Sequence, residues 1–308
     1  MAAILTVSRF TPSSTLELAR SRDYHPPFRY FFGTGTMRLD VRPDRLIAAP
    51  ERITEGGLDL ELIPAPSGET PDALFVRDRA HDILFVGDAF MPYLGAPFVA
   101  EGSPEGFLGA IDQVLALRPR RLVHGHTPLT ALFTVEAMPG LRDAMRALYE
   151  HGLEGARAAR PLADLLHDNF LPPSLRAAPA AAQPYLIARD TFLQRLYTEH
   201  AGYWQANGEG MDAFTRAEWA AALDAVGGGS DAAFARASAE LERRGDAALA
   251  LQVAELGLAR YPSSAPLRAS RERALATLRE IYSQTNPFRF IVYSEWAGQG
   301  LAPVAQDQ

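Results

Sequence analysis

Three short segments of the chain carry side chains that could bind a metal ion. Glu69 lies in Ser-Gly-Glu-Thr-Pro, Asp88 ends the run Phe-Val-Gly-Asp, and His124 and His126 lie in Leu-Val-His-Gly-His-Thr-Pro. Each segment follows an apolar run typical of a strand. A strand end holds a side chain rigidly, while the loop after it leaves a coordination position open. Carboxylates and imidazoles so placed bind metal ions that convert water into hydroxide near neutral pH.

Taken singly, each of these residues also has a plain structural explanation. An Asp after a strand commonly forms a turn or caps a helix, a Glu in a loop is commonly solvated, and a buried His commonly makes structural hydrogen bonds. The functional hypothesis therefore depends on the combination of the three segments in this order.

The strands that must position these residues are predicted from local patterns. Residues 58–63 alternate apolar and acidic side chains, the period of a strand with one wet face. Two apolar runs at residues 73–77 and 83–87 flank a polar connection and predict a β-hairpin. Weaker strand candidates lie at residues 30–32 and 45–48.

The helices of the first half follow the same reasoning. Apolar residues at helical spacing after Pro104 predict a helix that stops near Arg118. A strand at residues 121–123 and a helix at residues 141–158 follow. The first half therefore predicts an α/β domain over residues 1–158.

The second half predicts helices almost throughout. Residues 160–184 are rich in Ala and Pro, which is typical of a boundary, with one short helix at residues 162–167. Further on, Ser230, Asp246 and Ser264 are suited to cap the starts of three successive helices. Their arrangement is similar to one and a half tetratricopeptide units. We expect a helical domain over residues 159–308.

Composition excludes several classes of function. The chain has 308 residues, a net charge of −7, basic residues that are all Arg, and no Cys. Without Cys there is no disulfide framework, thiolate zinc site, iron–sulfur cluster or Cys nucleophile. The acidic balance argues against nucleic-acid binding. No apolar run is long enough to span a bilayer, and no basic segment precedes the first apolar stretch, so we expect a cytoplasmic protein.

The ordered segments resemble the C-terminal half of the metallo-β-lactamase fold, and within it the alkylsulfatase-like branch. Glu69 stands where most of that superfamily carries His and where alkylsulfatases carry Glu. Asp88 follows Glu69 by 19 residues, the spacing of the two metal carboxylates in that branch. Its bridging residue is Glu, however, and Asp88 follows the commoner superfamily choice. The helical half, from about residue 200 through the helices that end near residue 282, resembles the alkylsulfatase dimerisation domain.

This resemblance implies a partial αββα domain followed by an all-helical dimerisation domain, and a homodimer formed through the helices. It implies that Glu69 binds one zinc ion, Asp88 bridges two, and His126 binds the second. His124 is then a supporting or structural residue. The implied reaction is hydrolysis of sulfate esters by a metal-activated water, with residues 90–98 facing an apolar tail. We interpret the remaining histidines as structural or exposed: His25, His81, His151, His167 and His200.

One departure from the family leaves alternatives open. The superfamily motif His-x-His-x-Asp-His is not in this sequence, so we expect the first domain to lack its N-terminal half. Glu69, Asp88 and His126 alone would bind metal weakly. The chain is therefore also consistent with a truncated or degenerate scaffold, or with one subunit of a split enzyme. A different hydrolase of the same fold, acting on a lactone, thioester or phosphodiester, is a third alternative.

Overall fold

The computed structural model of the protein describes residues 46–70, 73–91, 102–202, 204–205 and 207–298. Within these residues the chain divides into two compact units, one ending at Met211 and one beginning at Asp212. The boundary predicted after residue 158 does not coincide with this division. The strand candidate at residues 30–32 lies outside the described residues.

The first unit is built on a sheet whose strands lie side by side in chain order. Neighbouring strands are antiparallel except for the last pair, which is parallel. The parallel pair requires a crossover connection, which a helix provides. The strands are β1 (Glu51–Glu55), β2 (Leu58–Ala65), β3 (Ala73–Asp78), β4 (Ile83–Gly87) and β5 (Arg121–His124).

Strands β2 to β5 confirm the sequence predictions, including the hairpin between β3 and β4. Asp82 lies in that hairpin and joins three segments, since it accepts hydrogen bonds from the Arg77 side chain and the Arg120 backbone amide. The strand predicted at residues 45–48 is wrong, because described residues 46–48 are not in a strand. The first strand is β1 instead. It pairs with β2 across Gly56 and Gly57, whose positive φ angles form a tight turn.

Helices pack beside this sheet and extend the first unit. The predicted helix after Pro104 is α1 (Pro104–Leu117), which starts where the Ser103 hydroxyl accepts the Gly106 amide and ends at Arg118 in a left-handed conformation. A short α2 (Thr127–Leu132) follows β5, and α3 (Met138–Arg157) matches the second predicted helix. The core between them includes the fully buried rings of Phe90, Phe107 and Phe133.

Two further helices complete the first unit. The predicted short helix is α4 (Leu162–His167), and a longer one, α5 (Ala182–Ala201), packs on α3. The approach is close because Gly152 has no side chain: a Cβ there would lie 2.7 Å from Leu193 and Leu196. Two 3₁₀ turns, Pro173–Ala177 and Pro179–Ala181, connect α4 and α5.

The described part of the second unit, residues 212–298, is built of helices. Ser230 and Ser264 cap their helices as predicted, because each hydroxyl accepts an amide of the first turn. Asp246 occupies an N-cap position but makes no such bond. None of the described helices is long and apolar enough to cross a membrane. The helices are α6 (Arg216–Gly227), α7 (Asp231–Arg243), α8 (Ala247–Arg260), α9 (Ala265–Ser283) and α10 (Pro287–Trp296).

The predicted fold class is therefore confirmed at the level of architecture: an α/β region with a five-stranded sheet precedes an all-helical region.

Candidate functional site

Glu69 lies in the loop after β2, and that loop is held against the start of α1. The Ser67 hydroxyl accepts the backbone amides of Glu69 at 2.9 Å and Thr70 at 3.3 Å. The Gly68 amide donates to the Ala89 carbonyl at 2.9 Å, which ties the loop to the end of β4. Glu69 is thus fixed beside the chain segment that carries Asp88.

Asp88 and His126 are brought together by the parallel pairing of β4 with β5. Beyond the paired residues, the Gly125 amide donates to the Gly87 carbonyl at 2.8 Å, which keeps the two strand ends side by side. Gly125 leaves room for the carboxylate, because a Cβ there would lie 2.5 Å from Asp88 Oδ1. Asp88 Oδ1 lies 2.9 Å from His126 Nδ1. The structure therefore joins two of the three predicted ligands in one hydrogen-bonded pair.

This pair determines which imidazole nitrogen is available. A carboxylate only accepts hydrogen bonds, so Nδ1 of His126 carries the proton that it shares with Asp88. In the neutral ring, Nε2 then keeps its lone pair. A carboxylate that holds a His in this tautomer is the usual arrangement behind a metal-binding imidazole.

Glu69 is coupled to Asp88 electrostatically. Burial of the Glu69 carboxyl and, second, the nearby negative charge of Asp88 raise the pKa of Glu69 to about 7. Both causes disfavour the charged form of the side chain. Near neutral pH the Glu69 carboxyl group is therefore protonated in part of the molecules.

His124 is buried between this site and the aromatic core. Its Nε2 donates to the Phe133 carbonyl at 2.8 Å, and its backbone amide donates to the Thr130 hydroxyl at 2.9 Å. Nδ1 is buried and has no hydrogen-bond partner among the described residues. Burial lowers the pKa of His124, which favours the neutral ring. Because Nε2 donates to a carbonyl, Nδ1 of that neutral ring carries the lone pair. The structural role predicted for His124 therefore accounts for Nε2, which is hydrogen-bonded, but not for Nδ1.

Sequence reasoning did not single out Thr130 or Phe133 as partners of His124. The bonded carbonyl of Phe133 lies nine residues along the chain. No local pattern marks it, because backbone acceptors have no sequence signature. Phe90 also differs from its predicted place beside an apolar tail: its ring is fully buried against Phe107 and Phe133. Residues 92–98 of that loop lie outside the described residues.

The other described histidines lie apart from this site. His81 is in the hairpin turn, where it pairs with Asp78. His151 stacks on Phe170 with ring centroids 4.2 Å apart. His167 bonds to the Ala163 carbonyl of its own helix, and His200 lies at the exposed end of α5. His25 falls outside the described residues.

The donors do not by themselves fit a resident zinc ion. Within the part of the chain that the structure describes, no three His, Asp or Glu side chains form a group that could hold a metal ion. Zinc sites take three or four such ligands at about 2.0–2.2 Å. Asp88 and His126 supply a pair, with Glu69 coupled to it. The metal-binding roles of these three residues stay a prediction.

Comparisons with known proteins bear on the fold. No protein-family model matches the chain, and no curated protein matches it in sequence. Among solved structures, the stereoselective inverting sec-alkylsulfatase Pisa1 from Pseudomonas sp. matches with a TM-score of 0.67 and 22% identity over 82% of this chain. A double mutant of PisA1 matches with a TM-score of 0.69 and 23% identity over 84% of this chain. The chain resembles a sec-alkylsulfatase in fold.

The match has a defined extent. The chain spans 42% of the length of the mutant PisA1 structure and 41% of the other. The similarity covers most of this chain, so it takes in residues of both the sheet-bearing and the helical unit. It supports the predicted order of an α/β region and a helical region.

Proposed function

We propose that this chain is a zinc-dependent hydrolase that cleaves sulfate esters, with Asp88, His126 and Glu69 forming part of the metal site. The observation that carries the proposal is the contact between Asp88 Oδ1 and His126 Nδ1 at the joined ends of β4 and β5, in a fold similar to a sec-alkylsulfatase. Three such residues do not complete a two-zinc site, so the proposal requires further ligands besides these.

The described side chains have distinct tasks in this proposal. Asp88 accepts the Nδ1 proton of His126, which leaves the Nε2 lone pair available to a metal ion. Glu69 adds a second carboxyl group close to Asp88, in a partly buried position where a bound cation would favour its charged form. The rigid strand ends limit the movement of Asp88 and His126, which favours a defined geometry.

The test measures zinc binding and hydrolysis in the same samples. We expect the chelator-treated chain to bind zinc, by competition with a chromogenic chelator, and to release sulfate from a secondary alkyl sulfate. D88N and H126Q should each weaken zinc binding by at least about 10-fold. H81Q is the matched control, because His81 is an exposed histidine that also pairs with an Asp. Unchanged zinc affinity in D88N and H126Q would overturn the assigned site.

A second candidate is favoured by one observation, the lack of a three-donor group within the described residues. In this alternative the chain is one subunit of a split enzyme or a non-catalytic scaffold. Zinc binding that depends on Asp88 and His126 without sulfate release would overturn the hydrolase and support this alternative. Release from a lactone, thioester or phosphodiester, but not from the sulfate ester, would instead assign a different substrate class.

A further inference from the structure

We infer that Thr130 is a positioning residue that holds the imidazole of His126 against Asp88. It acts through the backbone of residues 124–126. The positioning is a property of the folded chain and does not depend on metal binding. Its consequence for zinc affinity rests on the proposed function.

The pair of Asp88 and His126 needs support beyond its own hydrogen bond. The side chain of His126 is 44% exposed and that of Asp88 is 23% exposed. An exposed pair contributes little by itself, because water screens the charges and both side chains lose freedom when they pair. Gly125 has no Cβ, so the backbone beside His126 has more conformational freedom than another residue would allow. Backbone contacts of this segment therefore have to determine where His126 lies.

Thr130 makes hydrogen bonds to the residues on both sides of Gly125. Its hydroxyl oxygen accepts the backbone amide of His124 at 2.9 Å. Its own backbone amide donates to the carbonyl of His126 at 3.2 Å. We call these two hydrogen bonds the Thr130 bridge. The bridge spans the glycine and holds His126 in an extended conformation, with φ −120° and ψ 135°.

The Thr130 bridge is anchored in the core. Helix α2 has six residues, which is too short to be stable by itself. Leu129 and Phe133 are fully buried and fix the helix in place. At the end of α2, the Phe133 carbonyl accepts a second hydrogen bond from His124, through Nε2 at 2.8 Å. The hydroxyl of Thr130 is therefore held in a fixed position relative to the end of β5.

The residue type of Thr130 suits this role and supplies the variants that test it. The branched Cβ restricts χ1, so the backbone largely determines where the hydroxyl points. The hydroxyl accepts an amide without adding charge beside Asp88. In T130V the shape of the side chain is kept and the acceptor is lost. In T130S the acceptor is kept and the branch is lost.

The first test measures which ring nitrogen of His126 carries the proton. At about pH 8.5, two units above the ordinary His pKa of about 6.5, the rings of the chelator-treated chain are neutral. Two-bond ¹H–¹⁵N spectra then report the tautomer of each ring, and the signals of His126 are those lost in H126Q. Asp88 holds the proton on Nδ1, whereas an imidazole in water favours Nε2. T130V should therefore lose Nδ1–H as the major tautomer of His126, and T130S should keep it.

The chain supplies a matched control and an internal reference for this test. The hydroxyl of Thr134 accepts the Ala137 amide at 3.3 Å. T134V thus removes the same kind of bond outside residues 124–126, and it should keep the Nδ1 tautomer of His126. His81 Nδ1 lies 2.7 Å from Asp78 Oδ2 in the hairpin turn, so His81 should stay unchanged in every variant. A loss of stability alone does not change the tautomer of the molecules that remain folded.

The second test uses the unmodified chain, so it does not depend on whether T130V folds. The His124 amide is bonded to the Thr130 hydroxyl, and hydrogen exchange of this amide reports how often the bond opens. The amide should exchange at least about 100-fold more slowly than in an unfolded chain of the same sequence.

Zinc titration separates this inference from the proposed function. Under the proposed function, T130V should also weaken zinc binding by about 10-fold, the lower end of the effect of a residue that acts through a ligand. Absence of zinc binding, with the tautomer results as expected, would overturn the proposed function alone. The Nδ1 tautomer retained in T130V, its loss in T130S or T134V, or an unprotected His124 amide would each overturn the inference.

Discussion

The strand ends around Asp88 and the helices after Asp212 hold their side chains in place by different kinds of contact. Asp88 and His126 are 38 residues apart in sequence, and the pairing of β4 with β5 brings them together. In the helical unit, Ser230 and Ser264 bond to amides of their own helices. The first region thus depends on distant parts of the chain and on a shared core. In the second region these two caps act on their own helices, whereas contacts such as that of Asp224 with Tyr261 join different helices.

This comparison predicts the largest effect in the core beneath the site. Phe133 is fully buried, its ring packs near Phe90, and its carbonyl accepts the hydrogen bond of His124. F133A should lower the free energy of unfolding by about 3–5 kcal/mol, because it leaves a cavity among packed rings. Urea unfolding followed by fluorescence measures this change.

Leu249 provides the control for F133A in the helical unit. It is a large apolar residue on α8 with about half of its surface exposed. L249A should change the free energy of unfolding by no more than about 0.5 kcal/mol. Similar losses in the two variants would contradict the assignment of Phe133 to the packed core.

The second prediction concerns the pH dependence of the site in chelator-treated protein. The pKa of Glu69 is raised to about 7 in the folded chain, from an ordinary value of 4.5. Between these two values the folded state holds the proton more tightly than the unfolded state. Stability therefore falls as pH rises through this range, and the loss is complete above pH 7. E69Q should remove about 2–3 kcal/mol of this loss between pH 4 and pH 8.

The measurement for E69Q is the difference in unfolding free energy from the unmodified chain at each pH, which cancels titrations common to both proteins. E55Q is the control, because Glu55 is an exposed carboxylate at the end of β1. As pH rises, the unfolding free energy of E69Q should increase relative to that of the unmodified chain, and that of E55Q should not. If the difference for E69Q stays constant with pH, burial and the charge of Asp88 do not raise the pKa of Glu69.

Local patterns were sufficient to predict most of the framework around the site. Each of these elements is marked by residues that are close together in the sequence. The marks are the alternation in β2, the polar turn between β3 and β4, and the apolar spacing in α1. These elements also place Glu69, Asp88 and His126 after their strands, as predicted. β1 was missed because Glu51–Glu55 is mostly charged, although Gly56 and Gly57 are a usable turn signal.

Features that depend on distant contacts could not be predicted from the sequence. The bare Nδ1 of His124 follows from its bond to the Phe133 carbonyl, and the raised pKa of Glu69 follows from burial beside Asp88. The exposure of a side chain also depends on distant contacts. Trp219 is a large apolar residue of the kind usually found in a core. It is nevertheless exposed, because α6 packs on its unit through Ala220 and Asp224.

The smallest predicted effect tests how local the caps of the helical unit are. S230A should cost about 1 kcal/mol, because the Ser230 hydroxyl accepts the Ala232 amide from an extended backbone. Asp246 has the backbone angles φ −88° and ψ 55°, and its amide donates to the Leu241 carbonyl at the end of α7. Its side chain therefore makes no cap for α8, and D246A should cost only about 0.3–0.5 kcal/mol through the lost charge at the helix start.

Thermal unfolding of the two variants side by side measures this difference. A cost for D246A equal to that of S230A would mean that residue type alone determines a cap. The backbone of Asp246, which the end of the preceding helix determines, would then have no effect on capping.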